Sequence, residues 1–322
     1  MKTPDILAFV LAGGQGSRLH PLTADQSKPA LQIRDGYRLV DFVLSNLLLS
    51  GVRQVYLLAQ YKPQSLISHL QAAWSDRFEA VGGFVQILLP SSELVQDQFQ
   101  GTADAVYRNR EVINRHRPDL VAVFAADHVY RMDIRQMAQW HRKHHAQLSV
   151  AAVPVAIDDA RSLGVIATEG DGRIVRFEEK PRQPTALPDD PSRAYGSMGN
   201  YLFEPHALIE LLEENARRGG SDFGFHILPN LPLGLRAFAY DFSSNRIPGL
   251  RPWEVRGYWR DVGTLPALRQ ATSEVSLPRA ALELMNPRWP ILGVAATVSS
   301  GHTLTRSAPA RVSPPEGVGA TA

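Results

Sequence analysis

Apolar positions along this chain follow two alternating rhythms. Continuous apolar runs at 6–12, 54–59, 85–89, 120–125 and 148–155 predict strands covered on both faces. Between them, 41–49, 63–73, 102–115 and 133–144 space their apolar residues at helical intervals. This β-α alternation to about residue 150 predicts an α/β, doubly wound fold around a mostly parallel mixed sheet. Shorter apolar runs at 164–168, 174–178, 199–203 and 235–242, with helices at 205–217 and 264–274, predict that the second half extends the same sheet with antiparallel members.

Two stretches break the rhythm. Residues 181–191 hold four prolines and read as a surface loop. From Gly293 the chain turns small, polar and proline-rich, without a period that could bury a core. The expected organisation is one catalytic-sized domain over 1–277, then a linker and low-complexity tail over 278–322.

Composition narrows the function classes. With 34 Lys+Arg against 32 Asp+Glu, nothing points to nucleic acid. The absence of cysteine excludes disulfides and thiolate chemistry. The N-terminal apolar run is shorter than a signal-peptide core or a membrane span, so a cytoplasmic protein without membrane contact is expected. Lysine occurs only at 2, 28, 62, 143 and 180, so each stands out against an arginine background.

The candidate chemistry begins at residues 11–31, LAGGQGSRLHPLTADQSKPAL. The loop lacks the third glycine of a dinucleotide fingerprint and the G-K-[ST] of a P-loop. On glycine content alone a flexible turn is as good a reading. Close glycines after a buried strand do, however, leave backbone N–H groups open to a phosphate. Arg18 and Lys28 add two cations at the same strand end, which favours a nucleoside triphosphate. Asp127 closes the run LVAVFAAD at the carboxyl edge of the sheet, where α/β ligands bind. A lone aspartate there is more often a cap, and Asp261 in YWRDVGT carries the same ambiguity. The pair together with the glycine loop makes a candidate metal site. Lys180 in FEEKP, read alone, is a solvated charge before a loop. His144 and His145 read as a solvated helix end, Arg217 and Arg218 as a cationic helix C-terminus, and Trp253, Trp259, Trp289 and Met198 as packing residues.

The glycine loop is similar to the G-G-x-G-x-R-L-x-P-L-T…K-P signature of the sugar-nucleotide pyrophosphorylases. The blocks that follow in order, among them GTADAVYRN, FAADHVYRMD, FEEKP, SMGNYLFE, SDFG and YWRDVGT, resemble the glucose-1-phosphate adenylyltransferases within that family. The resemblance covers about residues 6–291 and implies a Rossmann-like nucleotidyltransferase fold. It implies Mg²⁺-dependent attack of glucose 1-phosphate on the α-phosphorus of ATP, giving ADP-glucose and pyrophosphate for glycogen- or starch-type synthesis. It assigns Arg18, Lys28 and Asp127 to catalysis, with Asp127 and Asp261 as metal carboxylates. Leu11, Gly13, Gly14, Gly16, Gly101 and Thr102 fall at nucleotide-binding positions, Thr102 also suiting an N-cap. Gly164, Glu179, Lys180 and Ser197 fall at sugar-phosphate positions. His128 is expected to shape a turn, since magnesium prefers oxygen. The expected partners are ATP and glucose 1-phosphate, with a homo-oligomer open.

The chain departs from that pattern at several places. Gln15 and Asp25-Gln26-Ser27 stand where the family carries basic residues, and an acidic group there should repel an anionic activator. Pro90–Glu93 and Gln98 replace a glutamine-rich stretch and a tryptophan near the base, and Phe225 replaces a lysine after D-F-G. The family's C-terminal β-helix is expected to be missing after Trp289-Pro290-Ile291. UTP or dTTP in place of ATP, and a catalytically weak regulatory subunit, are the competing readings.

Overall fold

The computed structural model describes residues 4–92, 94 and 97–294. The expectations for the tail beyond 294 and for Glu93 fall outside them. The first half alternates strand and helix: β1 (Ile6–Leu11), a short hairpin of β2 (Gln32–Arg34) and β3 (Tyr37–Arg38), α1 (Leu39–Leu49), β4 (Gln54–Leu58), α2 (Gln64–Ala73), α3 (Ser75–Glu79), β5 (Phe84–Leu88), α4 (Thr102–Arg108), α5 (Glu111–His116) and β6 (Leu120–Ala125). β1, β4, β5 and β6 pair in parallel in the order β6-β1-β4-β5. The single helix expected over 102–115 is two, because the Asn109 side chain turns back to the Ala105 carbonyl at 2.8 Å. The helix expected from 41 starts at Leu39, where Asp41 Oδ2 accepts the Arg38 N–H at 2.7 Å as a cap.

The second half continues with β7 (His128–Tyr130), α6 (Ile134–Lys143), β8 (Leu148–Ala156), α7 (Ile157–Ala160), β9 (Gly164–Thr168), β10 (Ile174–Glu179), β11 (Arg193–Phe203), α8 (Pro205–Arg217), β12 (Ala237–Asp241), β13 (Trp259–Asp261) and α9 (Leu265–Ser276). β11 joins the halves. One edge pairs with β8, which carries β12 in parallel; the other pairs with β6 along Asn200–Phe203 and with β9 at Tyr195 and Gly196. The expected antiparallel extension is therefore present. Its register slips between Ser197 and Tyr201, where Gly199 takes a left-handed φ of 66°. This bulge lets β9 and β10 diverge from β6, and the divergence opens a cleft.

Two apolar layers sandwich the sheet, one built on Trp74, Phe78 and Tyr130, the other on Phe9, Phe203 and Phe223. Each such buried aromatic contributes roughly 1.5–3 kcal/mol of transfer free energy. A third layer closes over Leu19 and Phe42 and draws in Leu282, Leu284 and Ile291. Residues 280–292, set apart above as linker, thus pack into the folded body: Leu292 N–H donates to Ser45 Oγ at 2.8 Å and Val294 N–H to the Gly36 carbonyl at 2.8 Å. A buried Arg131–Glu254 pair at 2.8 Å fastens this segment, and Glu254 Oε1 also accepts the Glu283 N–H. Removing either partner would cost about 3–5 kcal/mol by stranding a buried charge. Among the described residues no helix is long and apolar enough to cross a membrane.

Candidate active site

The cleft lies at the carboxyl ends of β1, β4 and β6, has a volume of about 430 Å³, and separates the glycine loop from β9–β11. That position is the one parallel α/β sheets offer a ligand. Leu11, Gly13, Gly14, Arg18, Gly101 and Thr102 edge one side of it. Gly164, Glu179, Lys180 and Ser197 edge the other, with Asp127 and Asp261 between. Two expected residues do not line it. Gly16 lies behind the loop at φ 66°, where a Cβ would come within 2.9 Å of Thr23 and 3.2 Å of the Lys28 side chain. Lys28 is buried, and its ammonium holds Asp127 Oδ2 at 2.7 Å.

The central carboxylates meet through a feature with little sequence signal. β7 and β13 form a three-residue antiparallel ribbon that sets Asp261 opposite His128. Asp127, His128 and Asp261 each offer a ligand atom within 4.8 Å of the others. Burial pushes the Asp127 carboxyl up, but the Lys28 ammonium, His128 and hydrogen bonds outweigh it and hold the group well below the usual carboxylate range. His128 Nε2 lies 3.3 Å from Asp127 Oδ1 and 3.8 Å from Asp261 Oδ1, while its buried Nδ1 has no hydrogen-bond partner. Its ring packs on Trp259 at 5.1 Å between centroids. Two adjoining carboxylates, one kept ionised, fit a hard divalent cation; the imidazole adds a softer donor. Gly263 lets this cluster touch the glycine loop, since a Cβ there would fall 2.9 Å from Asp261 Oδ2 and 3.2 Å from Arg18 Nη2.

The far side is organised by side chains. Lys180 takes a left-handed φ of 48° and its Nζ pairs with Glu179 Oε1 at 2.8 Å. The Glu179 carboxylate fits between two glycines, for a Cβ on Gly164 would lie 3.0 Å from Oε2 and one on Gly224 2.8 Å from it. Ser197 borders the bulge in β11 and accepts the Gly199 N–H at 3.3 Å.

Other cleft residues carry no signal in their type or spacing. Gln60 ties the glycine loop to the loop before α4, accepting the Phe99 N–H at 2.8 Å and donating to the Phe99 and Gly13 carbonyls at 3.3 and 3.4 Å. Asp222 joins the two sides: Oδ2 accepts the Thr102 hydroxyl at 2.8 Å, and Oδ1 accepts the Gly224 and Phe225 N–H groups at 2.8 and 3.1 Å. The N-cap of α4 is Gly101, so Thr102 is not the cap it was expected to be; its hydroxyl is committed to Asp222 and to the Phe223 N–H. Thr264 does cap α9. Trp253, expected to pack, is 43% exposed, with its indole N–H donating to Glu283 Oε1 at 3.2 Å. Trp289 and Met198 are buried as expected.

A family model described as nucleotidyl transferase matches residues 7–276. Among known proteins, the chain is similar to a glucose-1-phosphate adenylyltransferase of Thermodesulfovibrio yellowstonii, 48% identical over 292 residues. Enzymes of the same name from Thermus thermophilus and Anaeromyxobacter sp. are 43% and 44% identical over 299 and 290 residues. In all three, the alignment takes in 89% of this chain and 70% of the relative. On identity of this level over this length, the chain belongs to the glucose-1-phosphate adenylyltransferase family of nucleotidyl transferases.

Proposed function

We propose that the chain transfers AMP from ATP to glucose 1-phosphate, releasing pyrophosphate and giving ADP-glucose for glucan synthesis. The observation that carries this reading is the order of groups across one cleft. An amide-rich turn with Arg18 faces a Glu179–Lys180 pair, and two carboxylates lie at the seam between them. A reaction that joins two phosphates needs two anion sites and charge neutralisation where they meet.

Gly13 and Gly14 turn backbone toward the triphosphate, and Arg18 takes charge from it. Packing within the protein does not call for glycine at 14, where a Cβ would meet no atom within 4 Å. Lys28 acts one step back: its ammonium keeps Asp127 ionised and aimed. Asp127 and Asp261 would hold a divalent ion, with Mg²⁺ our assignment, and the ion when bound neutralises phosphate charge. Glu179 accepts hydroxyls of the sugar while Lys180 and Ser197 hold its phosphate. A phosphate oxygen of the sugar then attacks the α-phosphorus in line, and the bond to pyrophosphate breaks.

Pyrophosphate release from glucose 1-phosphate with each nucleoside triphosphate in turn tests this. Release with ATP is the expected result. Release with UTP or dTTP alone would overturn the adenylyl assignment, and no release with any nucleotide would favour a regulatory subunit.

A further inference from the structure

Phe225 is a large apolar side chain left 56% exposed beside the cleft, and nothing in the core explains it. It belongs to a π-helical turn, Phe223–Ile227, whose start is fixed by Asp222 accepting the Gly224 and Phe225 N–H groups. That turn presses Gly224 against Glu179 and sets the Phe225 ring 5.1 Å from Lys180 Nζ. We infer that Phe225 is a positioning residue that holds the Lys180 ammonium for the phosphate of the sugar substrate. The inference rests on Lys180 being the sugar-phosphate cation.

The chemistry favours a ring at this position. The Lys180 backbone is tied down by its N–H bond to the Leu163 carbonyl at 3.0 Å, but the side chain is half exposed, and four rotatable bonds let its charge wander. Glu179 takes one of the three ammonium N–H groups. A second carboxylate would take another and cancel the charge, and a cation would repel it. An aromatic face attracts the ammonium through its quadrupole without using an N–H, so two donors remain free for phosphate. The 5.1 Å separation lies within the range where that attraction acts.

Kinetics on the full chain with glucose 1-phosphate tests the inference. Phe225→Ala is expected to raise the KM for glucose 1-phosphate about two- to fivefold, while kcat and the KM for ATP stay as in the unaltered protein. Phe225→Tyr should restore the KM, whereas Phe225→Leu, which keeps apolar area without a π face, should not. With Lys180→Gln already present, Phe225→Ala should not lower kcat/KM for glucose 1-phosphate further. An unchanged KM in Phe225→Ala, full function in Phe225→Leu, or a penalty that persists beside Lys180→Gln would each overturn it. Calorimetric titration with glucose 1-phosphate reads the same contrast without turnover. A chain that binds glucose 1-phosphate in a Phe225-dependent way yet releases no pyrophosphate would overturn the proposed reaction and leave this inference standing. A chain that does not bind glucose 1-phosphate would overturn both.

Discussion

The two sides of the cleft are built on different principles. The side proposed for the nucleotide is mostly backbone: a glycine turn after β1 and the loop before α4, tied by Gln60, with Arg18 as the exposed cation. The side proposed for the sugar is mostly side chain: Glu179 and Lys180 already paired at 2.8 Å, with the carboxylate fitted between Gly164 and Gly224. A triphosphate carries charge over many oxygens and is met well by many amides and space. A sugar phosphate has one anionic group and a stereochemically defined ring, so its side needs few groups held at fixed positions. The seam, where Asp127 and Asp261 meet, belongs to both.

The seam is where the comparison breaks hardest. Asp127→Asn keeps the shape of the side chain and removes its charge, so both substrates lose their shared partner. Turnover should fall on the order of a thousandfold, with far-UV circular dichroism unchanged; pyrophosphate release within tenfold of normal would mean that the carboxylate is not shared. Arg18→Ala should act on one side only. Losing a charged hydrogen bond of about 1.5–3 kcal/mol predicts kcat/KM for ATP lower by roughly ten- to a hundredfold, with the KM for glucose 1-phosphate little changed. Equal losses for both substrates would show that the sides are not separable.

How much of this was legible beforehand follows the same division. Strands at 6–11, 54–58 and 120–125 declare themselves by continuous apolar runs, so the sheet and its carboxyl edge were readable. The glycine loop, Asp127 and the Glu179-Lys180 pair sit beside those runs and inherit their positions. The β7–β13 ribbon did not show, because three residues are too few to display a period of two, yet it is what sets Asp261 against Asp127. Lys28 reads as a second phosphate cation until the fold buries it against Asp127. Asp222 sits in the SDFG block, but its bond to Thr102 spans 120 residues, and no local pattern encodes that. Long-range polar contacts carry the site, and periodicity reports only local packing.

Acid offers a way to loosen one half of the sheet before the other. His141 on α6 is buried and bonds Ser149 on β8, the strand that supports the sugar-side sheet. Burial, with the neighbouring Arg142 charge, pushes its pKa down to about 4 from an ordinary 6.5. The unfolded chain therefore binds a proton that the folded chain refuses. Stability is unaffected above pH 6.5 and falls as pH drops from there toward 4, by about 3 kcal/mol in total and about 2 by pH 5. His141→Gln should flatten the decline in melting temperature between pH 7 and 5, and hydrogen exchange at pH 5 should rise first in β8. Parallel melting curves for the two proteins would rule out His141 as the cause.

The smallest change in atoms separates the two principles most directly, because it adds one methyl group to each side. A Cβ at Gly101 would lie 2.4 Å from the Ser221 carbonyl oxygen, and backbone cannot step aside there. Gly101→Ala should therefore cost stability, about 1–3 kcal/mol, and lower the melting temperature. A Cβ at Gly224 would lie 2.8 Å from Glu179 Oε2, the end of a side chain that can swing. Gly224→Ala should leave melting nearly unchanged but displace the Glu179 carboxylate from Lys180, raising the KM for glucose 1-phosphate about tenfold, equivalent to about 1.4 kcal/mol. If both variants lost stability alike, the sugar side would be packed as rigidly as the backbone loop opposite. If Gly224→Ala changed neither melting nor KM, the fitted position of Glu179 would have no part in holding the sugar.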